Sequence, residues 1–207
     1  LRSLTVGGNL SLLGDDTTKP AIAGVNALKL TDCDVAVAGD VIVKGARLEL
    51  AGGSLTVDGN LTLANLRNSL VNGGGELLVT AAATNETRIV GALLTVGGKL
   101  TVEKNAIVWP QICTTDGAYV KFAVKYLAIE AGGQVSADYR GCPQNSGPGT
   151  GYAQYGASHG GRGGSYSSNL QWVTNPYGSE MYPLEAGSGG NDREGAGVIC
   201  IEASRHI

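Results

Sequence analysis

Apolar and polar residues alternate along most of the first two thirds of the chain, and the alternation comes in short bursts. Residues 55–63 read LTVDGNLTL, with near-copies at 4–12 (LTVGGNLSL), 35–43 (VAVAGDVIV) and 94–102 (LTVGGKLTV). In LTV, Leu55 and Val57 fall on one face of an extended chain and Thr56 on the other; Asp58, Gly59 and Asn60 turn it, and LTL repeats the pattern. The pattern predicts short strands separated by tight turns.

Leu28 to Leu48, Val35 to Leu55 and Val41 to Leu61 are each steps of 20 residues. Equal steps from three starting points mean that a whole coil recurs, because a lone hairpin has no reason to keep one period. The expected fold is all-β: a right-handed parallel β-helix (β-solenoid) with three-sided coils of about 20 residues. Its first side is Leu28–Leu30 then Leu48–Leu50, its second Val35–Val37 then Leu55–Val57, and its third Val41–Val43 then Leu61–Leu63. Gly39, Gly45, Gly52, Gly53 and Gly59 fall at corners, where a positive φ is often required. The stacking is expected to drift later, with Leu55 to Leu77 a step of 22 and Leu77 to Leu94 a step of 17, and with RIV at 88–90 and TVEKNAIVW at 101–109 as looser rungs. The segment 14–24, with Asp15, Asp16 and Pro20, is expected to loop out. A β-sandwich is the competing architecture, but nothing in a sandwich maintains a 20-residue period.

From Tyr119 the run YVKFAVKYLAIEAGGQVSA places Val120, Phe122 and Val124 on one face against Lys121 and Lys125, then slips phase near Tyr126, which predicts a corner or bulge. Residues 1–137 are therefore assigned to β-solenoid coils. Residues 138–197 are rich in Gly, Ser, Tyr and Asn and read as a long excursion packed on the solenoid, its aromatics supplying the contacts that a Gly/Ser linker lacks. Residues 198–207 read as a returning strand. The chain opens at Leu1 without a Met and stops just after VICIEA, which predicts a segment of a longer protein.

Composition narrows the functional classes. Of the 207 residues 43% are hydrophobic, 16% charged and 5% aromatic, and the formal net charge is -3. With no basic run, the electrostatic footprint of a nucleic-acid or anionic-membrane partner is missing. No apolar stretch approaches the ~18 residues that a spanning helix requires.

The run GASHGGRGG at 156–164, followed by NPYGS at 175–179, YPLEAGSGG at 182–190 and GAGVICIEA at 195–203, resembles a pattern in large secreted glycine-rich surface and matrix proteins of protists, plants and bacteria. The resemblance covers the last third of the chain and implies a repetitive β-helical surface component without assigned catalytic residues.

Parallel β-helices also carry polysaccharide lyases and hydrolases, which gather carboxylates and a base on one face. Outward positions on the regular rungs are Thr5, Ser11, Ala36, Ile42, Glu49, Thr56, Thr62, Leu78, Thr95 and Thr101, with one carboxylate and no base among them. No catalytic residue, metal ligand or cofactor is assigned. His159 and Arg162 are candidate contacts to sugar or partner, together with Tyr152, Tyr155, Tyr166, Trp172 and Tyr177. The plainer reading has His159 and Arg162 bonding backbone carbonyls of a Gly-rich turn. Asp192 and Glu194 lie in a single copy of a calcium-nonapeptide-like run, which requires tandem copies to bind. Outward threonines raise ice binding as a third function; Ala36, Ile42 and Leu78 interrupt the row.

Cys33, Cys113, Cys142 and Cys200 lack C-x-x-C spacing, which disfavours zinc and suits two disulfides in an oxidising compartment. Cys113 with Cys142 is the preferred pair, leaving Cys33 and Cys200 paired or free. Asn9, Asn60 and Asn85 begin N-x-S/T sequons and are N-glycosylation candidates. The expected role is an extracellular, cell-surface structural or adhesive segment, non-enzymatic, that self-assembles or joins other solenoid segments into a fibre. A carbohydrate-binding or polysaccharide-cleaving β-helix is the alternative, with polysaccharide or glycans as partners.

Overall fold

The alternation is realised as strands whose apolar side chains point one way and whose backbones are satisfied by the next strand in the stack. A computed structural model describes residues 2–14, 27–66, 74–86, 89–151, 155–164 and 174–205. The described residues hold twelve strands and no helix: β1 Arg2–Val6, β2 Leu10–Leu13, β3 Ala27–Val37, β4 Val41–Lys44, β5 Arg47–Val57, β6 Leu61–Ala64, β7 Glu76–Thr80, β8 Ala92–Val102, β9 Ile107–Gln111, β10 Val120–Ile129, β11 Gln134–Val135 and β12 Cys200–Ala203. They form one open sheet in which every strand pair is parallel.

The pairings sort into three stacks, each with an apolar column that is buried in its middle rungs. Leu4, Val35, Leu55, Leu94, Phe122 and Ile201 lie one above the next in the first. Leu10, Val41, Leu61, Leu100 and Leu127 make the second. Leu28, Leu48, Leu77, Val108 and Val135 make the third. The interior columns join in a single hydrophobic cluster, with Phe122, Val41, Val57, Leu61, Leu77 and Leu94 fully buried.

Several expectations require correction. Leu55 pairs with Leu94, while Leu77 belongs to the stack of Leu48. The apparent steps of 22 and 17 compared residues from different stacks, because the connections 65–75 and 81–91 lengthen the coil. Ile89 and Val90 form a bend, not a rung, and Ile89 is 85% exposed; Arg88 lies outside the described residues, as do 15–24 of the expected loop. Strands β3 and β5 each run without a break through two stacks, bending at Asp32 (φ 48°) and at Gly52 and Gly53 (φ 74° and 77°). Gly39 and Gly59 have no positive φ. They are glycines because successive turns lie directly on one another: a Cβ on Gly59 would fall 2.7 Å from Gly39 O. The slip near Tyr126 is present as a register shift between Val124 and Tyr126.

Candidate functional site

The connections that leave the third stack for the first differ widely in length: Asp32 alone in β3 and Gly52 in β5, then 81–91, 112–119 and, by far the longest, 136–199. In a stacked architecture such insertions gather on one flank, where a binding surface is built without disturbing the columns. The three long connections touch. Gly91 N–H donates to Tyr119 O at 3.0 Å and Ile112 N–H to Arg140 O at 3.3 Å. Thr84 donates from N–H and from Oγ1 to Asp116 Oδ2, both at 2.7 Å, and Ala118 N–H donates to Asp116 Oδ1 at 3.1 Å. These donors, the Thr84 amide first, hold the Asp116 carboxyl down at about 2.

Pro110 marks where the chain leaves the stack. Gln134 and Ser136 donate to Ala106 O and Val108 O, so even-numbered residues of β9 face β11. The next such residue is Pro110, which has no N–H to offer. Strand β11 stops at Val135, and the excursion begins. Its base is clasped by Arg140. The guanidinium stacks 4.8 Å from the Trp109 ring centroid and donates from Nη1 to Gln111 Oε1 at 3.1 Å, while Gln111 Nε2 donates to Arg140 O at 3.2 Å. Sequence reasoning missed this clasp, although a Trp-Pro pair within a strand pattern is a visible signal of interrupted pairing.

Within the excursion, buried hydroxyls supplement a small apolar cluster that includes Ala186 and Val198. Ser158, fully buried, donates to Thr174 O at 2.7 Å and accepts from Gly163 N–H at 3.0 Å. Ser188 accepts from Gly149 N–H at 2.8 Å and donates to the Tyr177 hydroxyl at 2.8 Å, which itself donates to Ala186 O at 2.6 Å. Burial pushes the Tyr177 phenol up. The His159 ring meets Tyr177 edge-on at 4.7 Å, and its Nε2 lies 3.2 Å from Glu185 O, donating there in the tautomer protonated at Nε2. Arg162 donates to Asn175 Oδ1 at 3.3 Å. His159 and Tyr177 are thus brought together, and Arg162 binds the segment that leads into Tyr177. Tyr155 is half-buried; Tyr152, Tyr166 and Trp172 lie outside the described residues. Asp192 and Glu194 are exposed, and no group of three or more His, Cys, Asp or Glu that could hold a metal occurs among the described residues.

The expected disulfides are not formed: Cys33, Cys113, Cys142 and Cys200 are all thiols. Cys33 is on β3 and Cys200 on β12, four rungs along the first stack. At about 4.8 Å per rung they stand roughly 19 Å apart, beyond disulfide reach. Cys113 packs on the main core, whereas Cys142 packs on the small cluster of Ile112, Ala186 and Val198, with its Sγ against Gly147. Burial raises the Cys142 and Cys200 thiols.

The sequon residues Asn9 and Asn60 form part of a ladder at one corner. Asn9 Oδ1 accepts Asp40 N–H at 2.8 Å, Asp40 Oδ1 accepts Asn60 N–H at 2.7 Å, and Asn60 Oδ1 accepts Lys99 N–H at 2.9 Å. Asn85 is exposed on the 81–91 connection.

No protein-family model, curated protein or solved structure matches the chain.

Proposed function

We propose that the chain is part of a right-handed, three-sided parallel β-helix belonging to an extracellular structural or adhesive protein, non-enzymatic, whose stack supplies reach and stiffness and whose excursion supplies lateral contacts. The observation that carries this reading is the first column, Leu4 to Ile201, kept in register over six strands while connections as different as 58–60 and 136–199 are accommodated at the corners. A strand joined to its parallel neighbour by a crossover is almost always right-handed, which sets the hand of the proposed helix. The outward rows favour scaffolding: they pair across rungs, as in Lys29 with Glu49 at 2.6 Å and Lys121 with Glu202 at 2.8 Å, and so serve the stack itself.

Strands β1 and β2 at one end and β12 at the other each have one strand neighbour. Edges of this kind are covered by more of the same chain or by another subunit. The proposed fibre arises by that joining, with glycans at Asn9, Asn60 or Asn85 on its surface. The likeness of the last third to secreted glycine-rich surface proteins accords with this placement at the cell surface.

Negative-stain electron microscopy and sedimentation of the complete protein test the reading. Fibres with a short axial repeat are expected. A compact monomer that persists at high concentration rejects the filament.

A further inference from the structure

Four described residues other than glycine have positive φ: Asp32, Asn105, Tyr139 and Asn145. Asp and Asn tolerate this region because their short side chains bond locally, whereas a bulky ring there is strained. Tyr139 (φ 57°) is the exception in chemistry, and its ring is not used for packing, being 62% exposed. The backbone around it is firmly held. Arg140 N–H donates to Ala137 O at 3.2 Å, Gly197 N–H donates to the same oxygen at 2.8 Å, and the Arg140 side chain is clasped by Trp109 and Gln111. The turn 137–140 therefore places Tyr139 at the position where glycine is ordinarily preferred. Strain retained without a packing return points to a role for the ring outside the fold.

We propose that Tyr139 is a glycan-contact residue, its ring stacking on the C–H face of a pyranose. The surroundings suit a sugar, which presents apolar faces and polar edges together. An open groove at this turn is lined by Gln134, Ser136 and Asp138, which offer an amide, a hydroxyl and a carboxylate to sugar hydroxyls, and by Ile129, Val135 and Ile199, which offer apolar surface to a sugar's C–H groups. An exposed aromatic ring beside a groove of mixed polar and apolar lining matches a ligand with apolar faces and a hydroxyl rim. This contact is independent of fibre formation: loss of one leaves the other intact.

The test is affinity electrophoresis of the complete protein and its Tyr139→Phe and Tyr139→Asn variants through gels containing laminarin, hydroxyethyl cellulose, glycol chitin, dextran or polygalacturonate. Asparagine accepts the left-handed backbone but removes the ring, so folding is preserved, and a melting temperature within about 4 °C of wild type verifies this. The expected result is retardation of the wild type by at least one polysaccharide, retained by Tyr139→Phe and weakened ten-fold or more in Tyr139→Asn. Failure of all five to retard the wild type, or equal retardation of Tyr139→Asn, overturns the assignment.

Discussion

Asp40 and Asn60 stand one above the other at successive turns, and a single carboxylate oxygen, Asp40 Oδ1, accepts both the Asn60 backbone N–H at 2.7 Å and its Nδ2–H at 3.1 Å. The relationship is repeated below by Asn9 and above by Lys99, so at this corner side chains add to the backbone bonds between successive turns, such as Val41 N–H to Asn60 O at 2.8 Å. Replacing Asp40 by Ala leaves the Asn60 N–H without its acceptor and is expected to cost about 1 kcal/mol. Replacing it by Asn keeps the oxygen and should cost far less. Thermal melts of the two variants check this: equal losses would show that the ladder contributes nothing.

Phe122 is the one phenylalanine of the chain and is fully buried between Leu94 and Ile201. Phe122→Ala removes a ring from a column that cannot collapse without shifting its neighbours. The expected loss is about 3–5 kcal/mol in denaturant unfolding, with Phe122→Leu recovering most of it.

The Asp116 carboxyl, lowered from 3.8 to about 2, ties the connection 81–91 to 112–119. A folded pKa below the unfolded one gives stability that is fully present above about pH 4 and is lost as pH falls through about 2. Exposure of this group keeps the effect small. Midpoints of urea unfolding measured from pH 6 to pH 1.5 should fall less steeply below pH 4 in Asp116→Asn than in the wild type. Parallel curves would refute the link.

Arg140 fastens the excursion by stacking on Trp109 and by its bond to Gln111. Lysine cannot reproduce a planar, forked donor, so Arg140→Lys should behave nearly like Arg140→Ala. Both are expected to speed limited proteolysis within 138–199 several-fold while the melting of the strand stack changes little. Cleavage at wild-type rates would mean that the hydroxyl network alone holds the segment.

How far each feature was legible depends on how local its cause is. LTVDGNLTL announces its strands because the period-2 alternation and the turn at Asp58, Gly59 and Asn60 are written in adjacent residues, and the bulge near Tyr126 shows as a phase slip. The pairing of Leu55 with Leu94 is not local: it depends on how much chain the connections 65–75 and 81–91 absorb, and their lengths follow no period. The roles expected at Gly39 and Gly59 failed for a related reason, since their smallness answers the approach of another turn and not their own φ.

The sequence by itself determined that the regular elements among the described residues are strands, that these stack in parallel, and which of their residues face inward, because each strand templates the next through alternation and backbone pairing. Only the tertiary structure decided which rung meets which across the long connections, that Cys33 and Cys200 are held far apart, that Arg140 closes on Trp109, and that Tyr139 is carried outward on a strained turn. Those outcomes arise where segments distant in sequence converge, and the free energy that selects them resides in contacts that exist only once the chain has returned.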